Sequence, residues 1–67
     1  MQWEKDFEIR VHIDNGAATI SANRAGLLSL SRLLTELADE PPGNHYHLDP
    51  FNALEDGSSE LILDKLK

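Results

Sequence analysis

Phe7-Glu8-Ile9-Arg10-Val11-His12-Ile13-Asp14-Asn15-Gly16 is the stretch that decides how this chain folds. Phe7, Ile9, Val11 and Ile13 alternate with Glu8, Arg10 and His12, the period of a strand with one face buried. Asp14-Asn15-Gly16 ends the run, and Asn-Gly is a strong signal for a tight hairpin turn. A second strand, Ala17 to Ser21, then returns with Ala18 and Ile20 as its apolar pair. It is short and poor in large side chains, so the turn defines this hairpin better than the strand ends do.

Downstream of the hairpin the period changes. Asn23 has the chemistry of a helix N-cap. Leu27, Leu30, Leu33, Leu34, Leu37 and Ala38 fall within an arc of roughly 140° at about 100° per residue, which predicts an amphipathic helix. Arg32, Thr35, Glu36 and Asp39 take the opposite side, and Leu28 lies off the stripe, exposed or at a contact. The helix must stop before Pro41-Pro42-Gly43, because proline lacks the backbone donor and disfavours helix in the residue before it. Glu36, Asp39 and Glu40 crowd the negative end of the helix dipole, where basic residues are normally favoured. Either that is a small tolerated cost in a solvated turn, or the charge is there for a basic partner.

Beyond the prolines, His45-Tyr46-His47-Leu48-Asp49-Pro50 lies in a third strand, about Asn44 to Leu48. Alternation puts His45, His47 and Asp49 on one face and turns Tyr46 and Leu48 toward a core. Asp49-Pro50-Phe51-Asn52 breaks the strand, and Phe51 and Leu54 are expected to close the end of the core under the loop. The alternative is that the loop presents Phe51 at the rim. A loop through Glu55-Asp56-Gly57-Ser58-Ser59 leads to a fourth strand, Glu60 to Asp64, with Leu61 and Leu63 inward and Glu60, Ile62 and Asp64 outward. The order is β-β-α-β-β. One helix covers one face of one sheet, so the expected fold is a two-layer α+β domain spanning residues 1–67, with a four-stranded, mainly antiparallel sheet. Its uncovered face should carry Glu8, Arg10, His12, His45, His47, Glu60, Ile62 and Asp64.

Size and charge narrow the function. A chain of 67 residues makes a single small domain of modest stability. It has no cysteine, which excludes a disulfide staple and a thiolate metal site. Small folds without such staples often gain stability by pairing with a copy or a partner. Twelve acidic residues against six basic give a net charge of −6, which repels phosphate backbones and favours a basic partner. No apolar run is long enough to span a bilayer. Met1-Gln2-Trp3-Glu4-Lys5-Asp6 lacks the pattern of a secretion signal, which points to the cytoplasm.

Three chemistries compete for the histidine face. Zinc needs three or four ligands, and His45 and His47 with Asp49 or His12 would supply them. His12 is near only if the first and third strands are neighbours. A general acid–base pair of His47 and Asp49 is chemically reasonable. The chain, however, has little material for a pocket, and it shows no phosphate loop or activated nucleophile. Ser29, Ser31, Ser58 and Ser59 read as helix-surface and turn residues. A protein-binding surface fits the mixture of histidines, acids, Arg10 and Ile62 best, and a histidine at a contact makes association sensitive to pH between roughly 5 and 7. The contact residues expected are His45, His47 and Asp49, with Glu36, Asp39 and Glu40 as a secondary patch. No enzyme activity and no cofactor are expected. The runner-up is a small metal-binding or regulatory protein, and the third reading is a homodimer without another partner.

A resemblance sharpens this choice. Ile20-Ser21-Ala22-Asn23-Arg24-Ala25-Gly26-Leu27-Leu28-Ser29-Leu30, Glu40-Pro41-Pro42-Gly43-Asn44-His45-Tyr46-His47-Leu48-Asp49 and Leu54-Glu55-Asp56-Gly57-Ser58-Ser59-Glu60-Leu61-Ile62 resemble immunity protein family 32 of the bacterial polymorphic toxin systems. The resemblance covers about Ile13 to Asp64. Its most specific parts are the Asn-x-x-Gly-Leu-Leu helix start, the His-x-His-Leu-Asp strand and the acidic-Gly-Ser-Ser-Glu-Leu-Ile ending. It implies an intracellular protein that neutralises a cognate toxin by binding it. Many such toxins are basic nucleases, and an acidic protein suits a cleft built for phosphates.

Overall fold

The computed structural model describes residues 3–67. Met1 and Gln2, which begin the run without a secretion-signal pattern, lie outside the described residues. The elements are β1 (Ile9–Asp14), β2 (Ala17–Ala22), α1 (Arg24–Ala38), β3 (His45–Leu48) and β4 (Leu61–Asp64). The protein is thus α+β, in the β-β-α-β-β order that periodicity predicts.

The first hairpin follows from its turn. Asn15 and Gly16 have φ of 49° and 80°, the left-handed pair that a type I′ turn demands. Asp14 therefore meets Ala17, and the antiparallel register runs back to Ile9 opposite Ala22. Phe7, expected inside the strand, precedes it and stacks on Trp3 with ring centroids 4.8 Å apart. Ile9 and Val11 are buried, but Ile13 on the same face is 56% exposed, because the hairpin runs on past the core.

The sheet differs from the expected single four-stranded one. β1 pairs with β2, β3 pairs with β4, and the two ladders are separate. The physical reason lies in the loop after Leu54. Glu55 N–H donates to the Ile9 carbonyl and Ser59 N–H to the Val11 carbonyl, while Ser58 Oγ accepts from Val11 N–H. The five residues Glu55–Ser59 thus span the three residues Ile9–Val11, so the segment satisfies that edge without a regular ladder. Ser58 is therefore a bonding partner of β1 as well as a turn residue.

Both hairpins and the helix share one core. Ile9, Val11, Leu30, Leu33, Leu48 and Leu54 form its buried centre, with Phe7, Tyr46, Leu61 and Leu63 packed against it. The helix is rolled relative to the leucine stripe. Gly26, Ser29, Leu30, Leu33 and Leu37 are buried, whereas Leu27 and Leu34 are exposed. Leu28 is exposed, as its position off the stripe predicts. Two contacts explain the roll. Gly26 sits against the base of the first hairpin, and the N-terminal segment covers Ser29, whose Oγ accepts from Glu4 N–H and donates to the Ala25 carbonyl. Ser29 is thus 1% exposed, not a surface serine.

Asn23 fastens the helix start to that same segment. Its Oδ1 accepts from Gly26 N–H at 2.8 Å and from Glu8 N–H at 2.9 Å, and its Nδ2 donates to the Asp6 carbonyl at 2.9 Å. An N-cap alone contributes about 1 kcal/mol. Asn23→Ala also releases the Asp6–Glu8 loop, so it is expected to lower stability by about 1–2 kcal/mol. The shift of the urea midpoint measures this, and a loss below about 0.3 kcal/mol would show that neither the cap nor the loop bonds contribute net stability.

Candidate functional site

Alternation in β3 and β4, once paired, builds a polar face. His45 lies opposite Asp64 and His47 opposite Ile62, while Tyr46 and Leu48 pair with Leu63 and Leu61 on the core side. His45 and His47 are both exposed, with their rings edge to face at 4.9 Å between centroids. His47 Nδ1 stands 3.3 Å from Glu60 Oε2. His45 Nδ1 is 3.3 Å from the Gly43 carbonyl oxygen. Asn52 Nδ2 donates to the His47 carbonyl and so ties the strand to the following turn. Every residue expected on the uncovered side, from Glu8, Arg10 and His12 to Glu60, Ile62 and Asp64, is exposed.

Asp49 is differently employed. Its Oδ1 accepts from the N–H groups of Phe51 and Asn52, at 2.8 and 3.1 Å, and its carbonyl accepts from Ala53 and Leu54. The carboxylate therefore closes the Asp49–Asn52 turn on itself instead of extending the histidine row. That turn separates two residues expected to share one role. Leu54 is buried in the core, whereas Phe51 is 99% exposed and closes nothing. The rim alternative for Phe51 is the one the structure adopts, because the Asx turn points it outward before the chain dips back at Leu54.

The acidic helix end is also organised. Glu36 and Asp39 are exposed, and Glu40 Oε2 accepts from Asn44 Nδ2 at 3.1 Å. No basic residue occupies the last helical turn, but Lys65 Nζ donates to the Ala38 carbonyl. The cation that the dipole favours thus comes from the other end of the chain. Only tertiary structure brings Lys65 there, so the local sequence gave no sign of it.

His12 stands on β1 opposite Thr19, and β3 is paired with β4 alone, so the neighbouring strands that a His12–His45–His47 cluster needed are not formed. Among the described residues no three His, Asp or Glu side chains are grouped to hold a metal ion. No helix among them is long and apolar enough to cross a membrane. A shallow depression beside β1, lined by Arg10, His12, Ser21 and Asp56, is open to solvent. Glu60, Ile62 and Asp64 complete the histidine face, and the outward alternation of β4 was the signal for them.

No curated protein and no solved structure matches the chain. A family model does. Residues 18–66, from β2 through β4, match the family described as Immunity protein 32. That span contains the capped helix, the histidine strand and the Asp56–Ile62 segment, so the resemblance seen in the residues and the match agree, and the chain belongs to the Immunity protein 32 family.

Proposed function

We propose that this immunity protein neutralises a cognate toxin of a polymorphic toxin system by direct binding, through the open face of the β3–β4 hairpin. Membership of the family is the observation that carries the reading. The contact surface is His45 and His47 with Glu60, Ile62 and Asp64 around them, and Phe51 at the rim as an apolar anchor. Asp49 serves it by holding the turn that presents Phe51. Glu36, Asp39 and Glu40 form a secondary acidic patch. Exposed aromatic side chains on rigid backbone are typical binding anchors, since little ordering entropy is lost when they are covered. The net charge of −6 favours a basic toxin such as a nuclease, and steers it to the surface at low salt. On this reading the protein is a binder without catalysis or cofactor, acting in the cytoplasm where the toxin would act.

The test uses the toxin encoded beside this protein, with affinity read by calorimetry. His45→Ala/His47→Ala is expected to weaken binding by about 10- to 100-fold, the loss of a pair of central contacts. The urea midpoint should stay put, because neither ring belongs to the core. Unfolding of the double variant would make the histidines structural. Unchanged affinity would move the contact elsewhere, and a wild-type protein that ignores the toxin would end the immunity reading.

A further inference from the structure

The outer edge of β2 is bare. Ile9 and Val11 turn their carbonyls away from β2, toward Glu55 and Ser59. Backbone groups alternate sides along a strand, so their partners Ala22 and Ile20, and Ala18 beyond, turn theirs away from β1. Among the described residues no hydrogen bond reaches those outward groups. Ala17–Ala22 carries no charge, no proline and no bulge, the devices by which natural edges avoid pairing. Such an edge in a chain this acidic is an exception that asks for an occupant.

The edge complements itself. If a second copy lies antiparallel with Ile20 against Ile20, Ala18 of each meets Ala22 of the other. About six hydrogen bonds then use every outward group. The side chains agree with the backbone. Each Ile20 is 45% exposed on the core side of the hairpin and would be covered by its counterpart. The apolar row Val11–Ile20 would continue across the axis into Ile20–Val11 of the second copy. The edge itself is neutral, so no like charges meet along the ladder, and only the long-range repulsion between two copies of net charge −6 opposes the approach. Arg24, which forms no ion pair among the described residues, would come beside the Asp14–Gly16 turn of the other copy.

We infer that the protein forms a two-fold dimer by antiparallel pairing of β2 with β2 of a second copy, joining the two hairpins into one continuous sheet. The interface is separate from the histidine face, and it can be tested without any toxin. Sedimentation equilibrium of the full chain, from about 1 μM to about 500 μM, covers the affinity range of such a contact. Twice the monomer mass is expected at the upper end. Ile20→Lys places two ammonium groups at the axis and should weaken the dimer at least about tenfold while the circular dichroism spectrum is kept. Ile20→Cys gives a chain with a single cysteine. Facing residues of a hydrogen-bonded pair lie about 5.5 Å apart at Cα, within disulfide reach, so it should oxidise to a covalent dimer faster than Ser31→Cys on the exposed helix surface. A monomer throughout would overturn the inference, as would a dimer untouched by Ile20→Lys. If Ile20→Lys unfolds, the cross-link decides, and equal oxidation of the two cysteine variants would overturn it.

Discussion

Gly26→Ala is expected to destabilise the protein by about 3 kcal/mol, the upper end of what overpacking a tight contact costs. A Cβ at Gly26 would lie 2.2 Å from the Glu8 carbonyl oxygen and 3.0 Å from both Ala22 Cβ and Ile9 Cγ1. The first of these is backbone and cannot rotate aside. That oxygen also accepts the Asn23 N–H, so moving it breaks a bond that holds the capping residue to the segment before β1. Helix propensity alone gives the opposite sign, since alanine is favoured over glycine by about 1 kcal/mol. The direction of the change therefore separates the two effects. A domain of 67 residues holds only about 3–10 kcal/mol in all, so the variant should be partly unfolded at ambient temperature. Urea denaturation followed by circular dichroism measures it, and an alanine variant as stable as the parent would show that helix and hairpin are farther apart than described. The contact also gives a physical reason for the glycine in the Asn-x-x-Gly-Leu-Leu helix start.

Leu33→Ala should lower stability by about 2–5 kcal/mol, whereas Leu34→Ala should change it by less than about 1 kcal/mol. Leu33 is 1% exposed among Ile9, Val11, Leu30, Leu48 and Leu54, and removing its side chain leaves a void that a close-packed core fills poorly. Leu34, one residue on, is 50% exposed. Both leucines fall in the same predicted stripe, so the pair measures the roll of the helix directly. Chemical denaturation of the two variants side by side gives the answer. Equal losses would place Leu34 in the core and undo the observed orientation.

The two proposed surfaces differ in chemistry. β2 presents bare backbone and small neutral side chains, which suit a copy of the same strand. The β3–β4 face presents imidazoles, carboxylates and Ile62, a mixture suited to a foreign partner. Lys65, by satisfying the helix end, leaves Glu36 and Asp39 outside that bond and exposed to solvent.

What the sequence determined by itself is local. Asn15-Gly16 specified the hairpin turn, Asn23 the helix start and Pro41 its limit. Strict alternation told inward from outward along β1, β3 and β4 and put His45 and His47 together on an open face. Each of these rests on sterics or hydrogen bonds among residues within a few positions, so the period of the chain carries it. Tertiary structure decided the rest. The helix rolled because Gly26 met Glu8 and Glu4 covered Ser29. The expected sheet divided because Glu55–Ser59 took the second edge of β1. Leu54 sank while Phe51 stayed out, and Lys65 crossed to the helix end. These outcomes depend on pairs distant in the chain, whose meeting is set by how the layers pack, and no periodicity records it.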